Sequence, residues 1–509
     1  SDVCSSDLLI FAFLSFYLSS VHASVEIRSN KLTTGDGLAN NSIRYMFQDS
    51  KGFMWMGTVN GLSYYDGNSF VSIYPDPNLP ISLADPRIRN MEEDSNGFLW
   101  IATLSSLYSC YDLKHGRFVD FTGCGEYKQS YSKKIIASDQ SIWLWDNNNG
   151  CRRVVYQDGQ FSSQAYKKEL GNLSSDEVLF VYESNDSPGH VWIGTKQGLW
   201  KYHDGKLEAM DTQGESWEHI FSYDQYTCII TGKKEIYRHS LSNNRLEKIA
   251  SLTELGDTGV ITGSLRLQHQ WVMFTATGSY ILDPVTGKLR RFSRLNIKNG
   301  NVTRDNKGNA WVHNYTGNVW YVNTSTGDIK HFQFLSSEHL GYIDVERYSI
   351  IHDSRDIIWI TTYGNGLFAY DLNTGDLQHF TFEVSHSSHI NSNYLQYIIE
   401  DRSGGIWVSS EFSGLSHLEI LNKGTLRIYP NGEDASDRSN TIRMLLRGKN
   451  GNVYMANRMG TLYEYDADLK NILRREKFTH NVYSMCEDNE GQLWLGMRGI
   501  GLRIGAYMG

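Results

Sequence analysis

The chain has 509 residues and 58.1 kDa, past the size at which one hydrophobic core stops growing, so at least two domains are expected. Apolar residues make up 40% and aromatics 13%, which excludes a disordered chain, and 46 Gly against 7 Pro suits many tight turns between short strands. A net charge of -9 with no long block of Lys and Arg excludes a general nucleic-acid role, which needs a basic face, while leaving room for a local Arg site for an anionic small ligand.

In chain order, the first feature is "LLIFAFLSFYLSSVHA" (8–23), an apolar run closed by the small-residue pattern Val21-His22-Ala23. It is too short for a spanning helix and reads as a secretory signal peptide cleaved after Ala23. Ser1–Asp7 lacks Met and basic residues and reads as an artefactual start. Residues 1–23 are therefore excluded from the fold.

The phrase "DSKGFMWMGTVNGLSYYDG" (49–67) follows, and it returns at 94–112, 189–205, 353–371 and 401–419. Aligned on its Trp, it gives Trp55, Trp100, Trp143, Trp192, Trp271, Trp311, Trp359, Trp407 and Trp494. Tyr454 fills one further slot and Ile229 or Ile230 another, in the weakest unit at 215–250. Eleven units of roughly 40–50 residues result, a period typical of propellers and solenoids.

Each unit predicts four strands. In the first they are Ser42–Gln48, Phe53–Thr58, Leu62–Tyr65 and Phe70–Tyr74, designated A to D. Asp49 opens the A–B turn by accepting a downstream N–H, and Gly52 supplies its left-handed position. The turns are too short for a helical crossover, so each sheet is antiparallel. Such a sheet, apolar on both faces, must be covered by its neighbours, which a radial stack achieves. Trp on strand B is the expected wedge between blades, and Gly57 and Gly194 are expected to leave room for the adjacent sheet. The Tyr before Asp is expected to place its ring in the interface and its hydroxyl towards water.

The fold class expected is all-β: one complete seven-bladed β-propeller at 24–338, plus a truncated second propeller of about four blades at 339–509. The second should be an open arc that exposes Tyr483, Met485 and Leu495. Four blades cannot close a seven-fold ring without leaving a bare edge, so the sequence reads as a piece of a longer protein.

The phrase D-x-x-G-x-x-W-x-G-T…G-L…Y-D resembles the propeller repeat of two-component regulators. The opening "LTTGDGLANNSIRYMFQDSKGFMWMGT" (32–58) is similar to the start of the periplasmic sensor region of hybrid two-component systems from glycan-degrading gut Bacteroidetes. The resemblance implies two seven-bladed propellers, then a β-sandwich, a membrane helix, a histidine kinase and a response regulator. It implies a periplasmic location, an oligosaccharide ligand and a homodimer in the full-length protein. It also implies control of glycan-utilisation genes through the kinase, and membrane attachment only through the downstream helix.

No catalytic constellation stands out. HExxH, GxSxG and Walker loops are absent, and "GNGLFA" (364–369) is flanked by two strands, so it is a repeat turn rather than a nucleotide loop. Six Cys and 16 His show no metal spacing, so no metal or cofactor is expected and this region is read as non-enzymatic. An oxidising compartment would allow a Cys110–Cys124 bridge.

Binding is expected where the B–C loops gather with the D–A connections. There the turn chemistry needs only Thr and Gly, and the large residues between them are free for a ligand. These are Tyr315, Tyr363, Asn365, Glu411, Phe412, Arg458 and Arg498, with Lys196 and Gln197. Aromatic faces stack on sugar C–H faces, while Arg, Asn and Glu bond hydroxyls or uronic carboxylates. Arg44, Arg87 and Arg89 near the starts of A strands serve inter-blade pairing equally well. The rival readings are a secreted propeller enzyme, a polysaccharide lyase or glycosidase, and a plain adhesion or scaffold propeller.

Overall fold

The computed structural model describes residues 26–505, apart from 123–130, 185–186, 212–215, 225–226, 233–234, 258–259, 306, 315–317, 335–348, 384–388, 422–427, 429, 432–437, 468 and 470. The expected signal peptide and artefactual start lie outside the described residues, as does Cys124. Two compact units part between Ile420 and Leu421.

The first repeat forms Ile43–Gln48, Met54–Thr58, Gly61–Tyr65 and Phe70–Ile73, bonded in chain order and antiparallel. The expected strand boundaries hold to within a residue. The same order repeats at 88–119, 133–166, 178–211, 217–251, 263–291, 301–333 and 350–380. The ninth sheet takes three strands from 395–421, and its outermost strand is Glu26–Leu32 from the other end of the chain.

Consecutive sheets share buried cores, from the first and second (Trp55, Leu62, Ile88, Leu99) to the eighth and ninth (Trp359, Leu367, Ile398, Val408). A last core joins Trp407 and Leu415 of the ninth sheet to Met46, Met54 and Met56 of the first. Nine sheets thus close a ring. The all-β propeller is as expected, but the expected ring of seven and the division at 338/339 are corrected. The repeat continues through that region at its spacing of roughly 40–50 residues, so the period alone marks no boundary. The strand that closes the ring lies ahead of the first repeat and carries none of its marks.

In the second unit a four-stranded sheet at 442–477 packs on a three-stranded one at 482–505 through Tyr454, Phe478, Met485 and Leu495. Met485 and Leu495, expected at the surface, are buried, whereas Tyr483 is exposed as expected. A bulge between Val482 and Ser484 turns Tyr483 off the face that Met485 occupies. The same bulge recurs in the first two sheets, at Ile43/Tyr45 and Ile88/Asn90.

The wedge argument holds for most sheets. Trp55, Trp100, Trp143, Trp192, Trp311, Trp359 and Trp407 each sit in the core shared with the next sheet. The Tyr before Asp meets them: Tyr111 lies 5.5 Å from Trp55, Tyr370 lies 6.3 Å from Trp311, and Tyr65 lies 5.8 Å from Trp407. A Cβ on Gly57 would come within 2.6 Å of Ile88 in the second sheet. At Gly194 it would strike Phe180 of the same sheet, so that glycine serves its own hairpin rather than its neighbour.

One seam departs from this scheme. The fifth sheet presents Ile229 in the wedge position. The A–B turn of the sixth sheet shrinks to Gln268 and His269, and the register slips by one residue. Val272 then faces the seventh sheet, and Trp271 points back to the fifth.

Candidate functional site

The B–C loops are closed by the residue ending each "W-x-G-T" run. Thr58 Oγ1 donates to the Gly61 carbonyl at 2.7 Å and accepts the Asn60 N–H at 3.1 Å. Thr195, Thr362 and Ser410 close theirs alike. Gly366, at φ 75°, lies where a Cβ would meet the Phe380 carbonyl oxygen at 2.3 Å, so "GNGLFA" is a repeat turn.

Some expected ligand residues are brought together. Tyr363 bridges to Tyr394, and their rings meet edge-on at 5.2 Å. The Glu411 N–H donates to the Tyr394 carbonyl at 3.0 Å, and its buried carboxylate accepts from the Gln396 amide. Phe412 beside it is 72% exposed. Asn365 is spent on structure: its amide donates to the Phe334 carbonyl. Lys196 is paired with Glu177 at 2.8 Å, and the Gln197 backbone is held by Thr195 and Ser174. Arg87 clamps Asp85 at 2.7 Å, which holds that carboxyl at about 2. Tyr315 lies outside the described residues.

Arg458 and Arg498 belong to the second unit. Both are exposed, their backbone N–H groups tied to Thr441 and Asn481. Arg443 lies 4.6 Å over the Tyr483 ring. A hydrogen bond from Arg443, with the charges of Arg443 and Arg498, holds the Tyr483 phenol below its ordinary range. Tyr394, Gln396, Arg443 and Tyr483 were not anticipated. All four lie at the starts of A strands, which share the loop end of each sheet, and that placement was the available signal.

Among the described residues no cluster of His, Cys, Asp and Glu could hold a metal. Cys110 is a free thiol, and burial pushes it well up. One cavity, of about 610 Å³, lies at the seam of the ninth and first sheets beside the A–B turns, lined by Asp401, Arg402 and Trp407. Another, of about 600 Å³, follows the A strands of the fourth to seventh sheets beside Tyr223, Arg266, Trp271 and Arg304. None of the expected ligand residues lines either.

The ring of four-stranded sheets defines the class as a β-propeller. Three segments, 37–60, 82–105 and 477–499, match the family described as two component regulator propeller. Each spans an A–B hairpin with its Asp-led turn, in the first, second and eleventh sheets. These three hairpins are thus similar to two-component-regulator propeller repeats. Among solved structures it is similar to the extracellular domain assigned to the hybrid two component system BT3049 of B. thetaiotaomicron. That match is 16% identical, covers 95% of this chain and 73% of that one, and has a TM-score of 0.34. The corresponding domain of BT4673 from the same organism gives 16%, 95%, 71% and 0.36. The Dos1 propeller gives 11%, 77%, 94% and 0.46. No curated protein matches the chain.

Proposed function

We propose that this chain is the extracytoplasmic sensing region of a hybrid two-component regulator, and that it detects an oligosaccharide. The observation that carries the reading is the match of three hairpins to the two component regulator propeller. The sugar is supported by the Tyr363–Tyr394 pair beside Glu411 and the exposed Phe412, an aromatic and polar set that the turns do not require. The region itself binds rather than catalyses. Ligand favours one arrangement of the receptor over another, and only that difference in affinity drives signalling to a kinase that controls glycan-utilisation genes. The receptor works as a periplasmic homodimer tethered through a downstream helix.

Thermal shift of the chain against a panel of glycan oligosaccharides tests this. One glycan should raise the melting temperature, and Tyr394→Ala with Phe412→Ala should reduce the shift. A panel of broad chemistry that leaves the melting temperature unmoved sinks the reading.

A further inference from the structure

We propose that the cavity along the A strands of the fourth to seventh sheets is a binding site for an acidic sugar, one whose ring carries a carboxylate or a sulfate. This rests on the reading that the region binds a glycan, and it names a class of glycan and a place distinct from the loop group.

The cavity runs across the A strands of the fourth to seventh sheets and takes in Trp271, which departs from the repeat by facing the fifth sheet rather than the seventh. Its volume is about 600 Å³, within the range of roughly 300–1,000 Å³ usual for small-molecule sites. A mere packing fault would leave an apolar, dry void. This one is lined by polar groups without partners.

Among the described residues, the side chains of Ser264, Asn301 and Arg304 make no hydrogen bond or ion pair, and all three line the cavity. The indole N–H of Trp271 is buried with no acceptor. Other wedge tryptophans, Trp143 and Trp311, also lack an acceptor, but only Trp271 lines this cavity. Arg266 is held in place: Nε donates to the Gln268 carbonyl at 3.1 Å and Nη1 to that of Tyr223 at 2.7 Å. Its guanidinium lies 5.1 Å over the Tyr223 ring, and its remaining N–H donors are unspent.

Charge selects the ligand. The chain carries -9, yet no Asp or Glu lines this cavity while two Arg do. An oriented guanidinium binds a carboxylate or sulfate with two parallel bonds. Tyr223 and Trp271 add aromatic edges to the lining, and Ser264 and Asn301 offer hydrogen-bond partners for sugar hydroxyls.

The test is titration calorimetry on the whole chain with three probes: disaccharides of galacturonate and of glucuronate, their carboxyl-reduced neutral counterparts, and a sulfated disaccharide. An acidic disaccharide should bind at least tenfold more tightly than its neutral counterpart, and whether the carboxylated or the sulfated probe binds identifies the anionic group. Arg304→Ala, at an exposed side chain without partners, should weaken binding at least tenfold. Arg266→Lys, which keeps the charge but loses the fork, should also weaken it. Equal affinity for neutral and acidic probes overturns the assignment of ligand class. Undiminished binding of the acidic probe to both Arg variants overturns the assignment of site and leaves glycan sensing standing. A chain that binds none of the acidic probes overturns this inference, while a neutral glycan found in the thermal-shift panel would still uphold the sensor.

Discussion

Asp49 looks like a turn former in the sequence, but its buried carboxylate does more. Oδ1 accepts the N–H groups of Lys51 at 3.0 Å and Phe53 at 2.9 Å, while Oδ2 accepts the indole N–H of Trp55 at 2.8 Å. Asp94 with Trp100, Asp353 with Trp359, Asp401 with Trp407 and Asp488 with Trp494 repeat the clip at 2.7–2.9 Å. The six-residue offset thus joins turn and wedge into one device, which explains why the two recur together. Where Ala137 replaces Asp, the Trp143 indole N–H is left without a partner. Asp353→Ala should therefore cost about 2–5 kcal/mol, since it orphans several buried donors at once, as read from denaturant unfolding. Trp55→Ala and Trp359→Ala should each cost about 3–5 kcal/mol for the emptied aromatic site, and a loss below about 1 kcal/mol would deny them the wedge role. Acid should loosen the clips. At Asp401 burial alone would raise the carboxyl's pKa, but the His417 ring nitrogen 3.5 Å away and hydrogen bonds from Ser403 and Trp407 outweigh it and hold the pKa low. A depressed folded pKa contributes stability that is present above the unfolded value near 3.8 and is lost as pH falls below it. Melting temperature should drop from about pH 4 downward, and Asp401→Asn should flatten that slope by up to about 1.4 kcal/mol per pH unit.

Between elements, the second residue of the A–B turn latches onto the next sheet. Ser50 donates its N–H and hydroxyl to Glu93, both at 2.5 Å, Ser138 does so to Glu183, and Ser354 to Glu400. These exposed latches should be modest: a Ser50→Ala/Glu93→Ala double-mutant cycle should return a coupling of about 0.5–1.5 kcal/mol, and none at all would reduce them to decoration. The strand at Glu26–Leu32 matters more. Ile27 is buried among Trp359, Ile398 and Leu418, so Ile27→Lys should cost about 2–4 kcal/mol, whereas a loose leader would tolerate it. The strands of each repeat were legible because alternation, turn residues and the Trp recur at fixed offsets. The Ser–Glu latches were not, since they join residues 43–46 positions apart that no local pattern links. The bulges of the A strands were hidden as well, because alternation read strictly assigns Tyr483 and Met485 to one face. The loop site was half legible. Tyr363 and Glu411 do converge, but only through Tyr394, and the reversed orientation of Trp271 goes with a shortened A–B turn that the Trp spacing does not reveal.

For the molecule as a whole, the number of sheets in the ring follows from which strand completes the ninth sheet, and period alone does not reveal that. The seam between ninth and first sheets is held by Trp407 against Tyr65, by the Arg402 guanidinium on the Ser50 carbonyl at 2.9 Å, and on the inner strands by Tyr45 and Tyr397, whose rings lie 4.7 Å apart. These tyrosines are 352 positions apart in sequence and meet only if nine sheets close the ring. Oxidative dityrosine coupling of the intact chain, mapped by peptide mass spectrometry, tests this most directly. A link between the peptides carrying Tyr45 and Tyr397, lost in Tyr45→Phe, is the predicted result. A link from Tyr45 to a peptide of the seventh sheet instead would contradict the nine-sheet ring.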